Sequence, residues 1–187
     1  GEGTLGIVTR ATVSVHPLPA LTSKQSFALP SIEMALETVR KILRADARPA
    51  VVRIFDEQEA ERYFGAKEVT VIFISEGEPD FVRPEAKLIS SIAGQHGGTP
   101  RGKKPVKIWL KKRFDIGLGP VVMQQGGVVD TIEVVSLFKD ATKLYNDMIT
   151  SMKAVTGSLL VSGHFSHFYR EGACLYITFV GFPADPY

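Results

Sequence analysis

Two histidines, a tyrosine and an arginine crowd into residues 163–176, Gly-His-Phe-Ser-His-Phe-Tyr-Arg-Glu-Gly-Ala-Cys-Leu-Tyr, a stretch that otherwise reads as a β-hairpin. Leu159, Val161 and Phe165 lead in, Leu175, Ile177 and Phe179 lead out, and Gly172 falls at the turn. His164, His167 and Tyr169 can all carry protons. Simple alternation sets Phe165, His167 and Tyr169 on one face and His164, Ser166 and Phe168 on the other. A tyrosine on a strand is normally a packing residue, so type and position alone favour that role for Tyr169 over proton transfer.

Other chemistries find less support. Of the four histidines, His16, His96, His164 and His167, only the last two are close. Lying on opposite strand faces, they would need a bulge and a distant carboxylate to hold a metal, so none is expected. No Gly-x-Ser-x-Gly elbow is present for a serine hydrolase. The opening Gly-Glu-Gly-Thr-Leu-Gly lacks both the dinucleotide spacing and the Lys-Ser/Thr of a phosphate loop. Arg53, inside Val51-Val52-Arg53-Ile54-Phe55, must find a partner, because an unpaired buried charge is costly; an Asp or Glu is expected. Arg113 stands between a possible helix and a glycine loop, where an arginine by itself is a surface residue.

These groups need a frame. Leu5–Val15 has strand composition, ended by His16-Pro17-Leu18-Pro19, and Gln25–Leu29 reads as a second strand. Ser31 caps a helix to about Leu43, with Ile32, Ala35, Leu36, Val39, Ile42 and Leu43 at helical spacing. A strand at 50–55 precedes a helix that Asp56 caps and Gly65 ends. A strand over 69–75, a helix over 79–95 broken by Gly97-Gly98, and a helical 106–114 follow. A strand at 128–134 leads to a long helix capped by Ser136 and closed by Gly157, before the hairpin. Two rounds of β-α-β with hairpin connections predict one α+β domain on a ferredoxin-like plan, open to duplication. Its sheet should be antiparallel or mixed, with helices largely on one face.

The chain of 187 residues, 44% hydrophobic, is large enough for a real core. Its 22 basic and 20 acidic residues nearly cancel, so no nucleic-acid partner is expected, and the lysines of 101–113 read as a solvated face. The lone Cys174 allows no internal disulfide and suits a reducing, cytoplasmic setting as a small buried side chain. No apolar run is long enough to span a bilayer, and no leader is visible. The chain begins at Gly1 without methionine and stops at Tyr187, so a piece of a longer protein is expected.

Four landmarks, in order, carry a resemblance. They are Glu2-Gly3-Thr4-Leu5-Gly6-Ile7-Val8-Thr9, Arg53 in Arg-Ile-Phe-Asp, Arg113 ahead of Asp130-Thr131-Ile132-Glu133, and Tyr169 in Tyr-Arg-Glu-Gly-Ala-Cys-Leu-Tyr. Together they resemble the C-terminal cap domain of FAD-linked oxidases of the vanillyl-alcohol-oxidase/D-lactate-dehydrogenase type, and within them the alkyldihydroxyacetonephosphate synthase family most of all. The resemblance implies that residues 1–187 are one substrate-binding cap whose residues 1–9 are the tail of a flavin domain. It implies FAD contacts from Glu2, Gly3, Thr4, Leu5, Gly6, Ile7 and Val8, a catalytic acid/base at Tyr169, a further residue needed for activity at Arg53, and a phosphate-binding Arg113. The implied reaction exchanges acyl for alkyl on acyl-dihydroxyacetone phosphate, with the substrate held on the flavin and no net redox change. The implied partners are a phosphorylated lipid precursor and the flavin domain of the same chain, with a homodimer and peripheral membrane association left open. The family's later histidine-rich segment has no counterpart here, so by itself the chain is expected to be inactive and to retain no FAD. Two other readings stay open: the cap of an FAD-linked lactate or glycolate dehydrogenase, and a non-catalytic ferredoxin-like binding or dimerisation module.

Overall fold

The computed structural model describes residues 3–115, 117 and 119–183. Its elements are β1 (Leu21–Leu29), α1 (Ile32–Arg44), β2 (Val51–Phe55), α2 (Glu57–Phe64), β3 (Val69–Gly77), α3 (Pro79–Gln95), β4 (Thr99–Pro100), α4 (Lys104–Lys112), α5 (Gly119–Gln124), β5 (Val128–Leu137), α6 (Phe138–Lys153), β6 (Ser158–Ser166) and β7 (Gly172–Gly181). Seven strands form one sheet in the order β4-β1-β3-β2-β6-β7-β5, antiparallel at each strand pairing the structure shows. The class is α+β, as the sequence predicts.

The order β4-β1-β3-β2 is the split β-α-β arrangement of a ferredoxin-like unit, with α2 added between β2 and β3. The second half repeats the idea incompletely: β5, α6 and β6 enclose β7 between two parallel strands. The halves meet at a short seam, Ile54↔Phe165 and Phe55↔His164.

Local signals set the first helices. Ser31 Oγ accepts from the Met34 amide and Asp56 Oδ1 from the Glu59 amide, at 3.1 and 2.7 Å, and Gly65 ends α2 in the left-handed region at φ 70°. The core is split by the sheet. Val69, Val71 and Phe73 of β3 join α1, α3 and α6 in one cluster; Ile72 and Ile74 join Phe55, Ala60, Val106 and Trp109 of β2, α2 and α4 in the other. The three long helices thus share one face, and the shorter α2 and α4 lie on the other.

Three expectations are corrected. Residues 5–15 form no strand: they run without a sheet partner, and Leu5, Ile7, Val8, Val13 and Val15 are exposed. Their β-branched composition is present, but composition without a neighbouring strand leaves backbone groups to water. Ser136 belongs to β5, which runs on to Leu137, and Leu137 takes the N-cap position of α6; that helix ends at Ala154 rather than at Gly157. Alternation along the hairpin stops at Ser166, because His167 adopts φ 47° and turns the chain out of the ladder.

Candidate functional site

On β2, Val51, Arg53 and Phe55 point to the α2/α4 side, where Phe55 belongs to the second core cluster and Val51 packs against it. Arg53 therefore enters an aromatic slot, its guanidinium carbon 5.6 Å from the ring centres of both Phe55 and Trp109. Its partner is not the expected carboxylate: Nη2 donates to Nε2 of His164. His164 faces the same side because Phe55 pairs with it across the seam. The other ring nitrogen, Nδ1, lies 3.0–3.1 Å from the two oxygens of Glu59. Arg62 approaches Glu59 at 3.5 Å, and Tyr176 stacks on the imidazole at 4.9 Å.

Hydrogen-bond direction fixes the proton. A guanidinium only donates, so Nε2 accepts and Nδ1 carries the hydrogen toward Glu59. Burial lowers the His164 pKa, with Glu59 opposing and Arg53 and Arg62 adding to the lowering, so the ring is neutral. Burial also pulls Arg53 below its ordinary value, opposed by the Glu59 charge. It remains a cation, and its buried Nε has no hydrogen-bond partner among the described residues.

Beside this network, Asp56 joins three elements. It caps α2, and its Oδ2 accepts from the Gly163 amide at 2.5 Å and from the Tyr145 hydroxyl at 3.0 Å. A side chain at residue 163 would meet Ile177 Cδ1 and Tyr145 Cε2 at 2.9 and 3.0 Å, so glycine is what lets Tyr145 come this close. Burial raises the Asp56 pKa, and burial together with Asp56 holds the Tyr145 phenol well above its usual range.

Beyond the two seam pairs, β2 and β6 separate. A cavity of about 290 Å³ opens there, lined among others by Arg53, Trp109, Ser166, His167 and Phe168. Arg113, the C-cap of α4, lays its guanidinium 5.5 Å from the Trp109 ring centre, so both sequence-derived arginines gather on one indole. Tyr169 follows directly on the cavity-lining turn. It is 68% exposed, and its amide donates to the Gly172 carbonyl at 2.9 Å. Phe168, on the cavity wall, stacks on Phe138.

The remaining candidates lie apart from the cavity. Gly3, Thr4, Leu5, Gly6, Ile7 and Val8 are exposed, with nothing within 4 Å of a Cβ placed on Gly3 or Gly6; Glu2 lies outside the described residues. Such a segment can offer backbone and one edge to a large planar ring, but it encloses nothing. Glu133, His167 and Cys174 bring three possible ligand atoms within 4.8 Å of one another, using only one of the two hairpin histidines. As it stands the Cys174 thiol donates to Glu133, and burial with that contact pushes its pKa up to about 11.

Sequence reasoning missed Glu59, Trp109, Tyr145 and Tyr176. Only Glu59 left a signal, as the acid three residues after the Asp56 cap. Instead of reaching back to its own helix end, it reaches across to β6.

The comparisons with known proteins agree with this frame. A profile described as FAD linked oxidases, C-terminal domain, matches residues 18–186. Alkyldihydroxyacetonephosphate synthases of Trypanosoma brucei brucei and Dictyostelium discoideum are each 24% identical, over 98% and 95% of this chain but 35% and 34% of their own lengths. An uncharacterized FAD-linked oxidoreductase, YgcU, of Escherichia coli K12 is 20% identical over 95% of this chain and 40% of its own. A solved alkyldihydroxyacetonephosphate synthase superposes with a TM-score of 0.81 at 25% identity, over 98% of this chain and 41% of that one. A 4-ethylphenol oxidase from Gulosibacter chungangensis shares the fold, with a TM-score of 0.67 at 14% identity over 91% of this chain and 41% of its own. The chain thus spans about a third of the length of the two synthases. No helix among the described residues is long and apolar enough to cross a membrane.

Proposed function

The chain belongs to the family of FAD-linked oxidase C-terminal domains, and on that footing we propose that it is the substrate-binding cap of an alkyldihydroxyacetonephosphate-synthase-like enzyme of ether-lipid synthesis. The observation that carries the reading is that Arg53 lines a cavity whose wall runs into the Tyr169 turn and shares the Trp109 indole with Arg113. A planar guanidinium matches a phosphate bidentately, and Arg53 lines the cavity with Nη2 engaged by His164. Arg113, more exposed, closes on the same anion from the helix end.

In this reading Tyr169 takes and returns a proton on the bound substrate, while the two arginines hold the phosphate and neutralise its charge. The acyloxy group leaves as a carboxylate. A fatty alcohol's oxygen then bonds to the same carbon, the alcohol's proton is released, and no electrons are gained or lost overall. FAD, when bound, supplies the electrophilic centre; Gly3, Thr4, Leu5, Gly6, Ile7 and Val8 would give it one edge, with Glu2 beside them, as the tail of a flavin domain. The chain by itself should therefore be inactive and colourless.

The test is an assay of a full-length protein carrying this domain, for acyl-for-alkyl exchange on acyl-dihydroxyacetone phosphate against oxidation of lactate and glycolate. Exchange is expected. Lactate or glycolate oxidation without exchange would replace this reading with the dehydrogenase one.

A further inference from the structure

We propose that Glu59 and His164 are positioning residues that hold the Arg53 guanidinium toward the cavity in the orientation an anion requires. The inference rests on the phosphate-clamp reading of Arg53 and adds a device behind it. Three residues from three elements stand in line: Glu59 from α2, His164 from β6 and Arg53 from β2. Each link has one permitted direction. Glu59 accepts from Nδ1, which leaves Nε2 bare, and the bare Nε2 takes one hydrogen from Arg53.

Without that acceptor the guanidinium could rotate about its long side chain, since its other neighbours are the flat faces of Phe55 and Trp109. With it, one edge of the fork is anchored and the Nη1 donors are left for a ligand, Nε being buried. The relay also explains a burial that is otherwise costly: Glu59 and His164 are 2% and 5% exposed.

The groups facing His164 are Arg53 on β2, Glu59 and Arg62 on α2, and Tyr176 on β7, with Tyr63 beside Arg53 and Glu59. Protonating His164 would set an Nε2–H against the guanidinium. Both would then be donors, and the anchor would be lost.

The test uses the full-length flavoprotein. In ¹⁵N spectra of its histidines at neutral pH, His164 should be the Nδ1–H tautomer with a bare Nε2; an Nε2–H tautomer or an imidazolium would overturn the proposal. Glu59→Gln can offer an amide hydrogen to Nδ1, so it should shift that tautomer balance. It should also lower kcat/KM for the phosphate-bearing substrate by roughly tenfold to a hundredfold, the worth of one charge-assisted contact.

His164→Gln keeps an acceptor where Nε2 was, so it should stay within about threefold of the parent and lose the acid limb of the pH profile; His164→Ala should match the Glu59 variant. Equal damage from His164→Gln and His164→Ala would show mere structural support and end the proposal. A phosphate-free substrate analogue separates this inference from the clamp reading. If the parent uses it as well as the phosphate, the clamp fails, while the ring spectra still decide the relay.

Discussion

The two halves of the sheet are finished differently. Over β1, β3 and β2 both faces are covered: α1 and α3 on one, α2 and α4 on the other, and seven consecutive residues from Val69 to Ser75 are buried. Over β6, β7 and β5 the one long helix among the described residues is α6, which buries Val161, Phe165, Leu175 and Ile177, while α2 touches β6 and the short α5 touches β5. The opposite face carries Val129, Thr131, Glu133, Val135, Ser162, His164, Ser166, Cys174, Tyr176 and Thr178, by the pairing of β5, β6 and β7. Ser162, His164, Ser166 and Cys174 are buried there, while Thr131, Glu133 and Val135 on the edge strand are exposed, so this face opens toward β5 and the network around His164 lies at its buried end. Incomplete duplication is what makes room for a site.

The largest effect should come from an exposed residue, Tyr169, beside the cavity-lining turn. Tyr169→Phe in a full-length enzyme should cut turnover by about 10²–10⁴-fold, the usual worth of a general acid/base, with stability changed by less than about 0.5 kcal/mol. Normal turnover would remove Tyr169 from the site. The second effect contrasts the halves directly. Ile72→Ala, in the doubly covered strand, should cost about 2–5 kcal/mol in urea unfolding, and Thr178→Ala, half-buried on β7, about 0.5 kcal/mol or less. Similar costs would mean that something covers both.

Arg113→Ala should weaken phosphate-bearing substrates by roughly tenfold to a hundredfold in KM while leaving the melting temperature in place. A subtler difference lies in pH. The folded His164 pKa is lowered, so the unfolded chain binds its proton first as pH falls. Stability from this group is full above the ordinary imidazole value of about 6.5 and is lost as pH drops through the lowered one. Unfolding curves at decreasing pH should therefore converge between parent and His164→Gln, and parallel curves would contradict a neutral buried ring. The smallest effect concerns Cys174. Removing the carboxylate in Glu133→Gln should speed alkylation of the thiol a few-fold, since burial, the first cause of its raised pKa, remains.

What could be read in the sequence was what is locally determined. Ser31, Asp56 and Gly65 act within a few residues, and each does what its type predicts. The strand expected at 5–15 rested on composition, and a strand exists only where another strand receives its hydrogen bonds. Ser136 has capping chemistry, but β7 holds it in a ladder opposite Ala173, and the ladder outweighs the cap. At the site, the need of Arg53 for a partner was legible from its apolar neighbours. The partner was not, since His164 lies 111 residues away and arrives only through the β2–β6 pairing. The period of two that grouped His167 with Tyr169 fails for a local reason, the positive φ of His167.

The seam deserves a mechanical reading. Two strand pairs, the backbone bond from the Asp56 amide to the Gly163 carbonyl at 3.0 Å, and the Asp56 carboxylate with its grip on Gly163 and Tyr145 fasten one half to the other. The joints within each half are ladders of many more residues. Under tension across the sheet, this short weld would carry load together with the core that α1, α3 and α6 share across the two halves. The arginine's anchor straddles that weld, so the clamp would slacken as soon as the weld began to open.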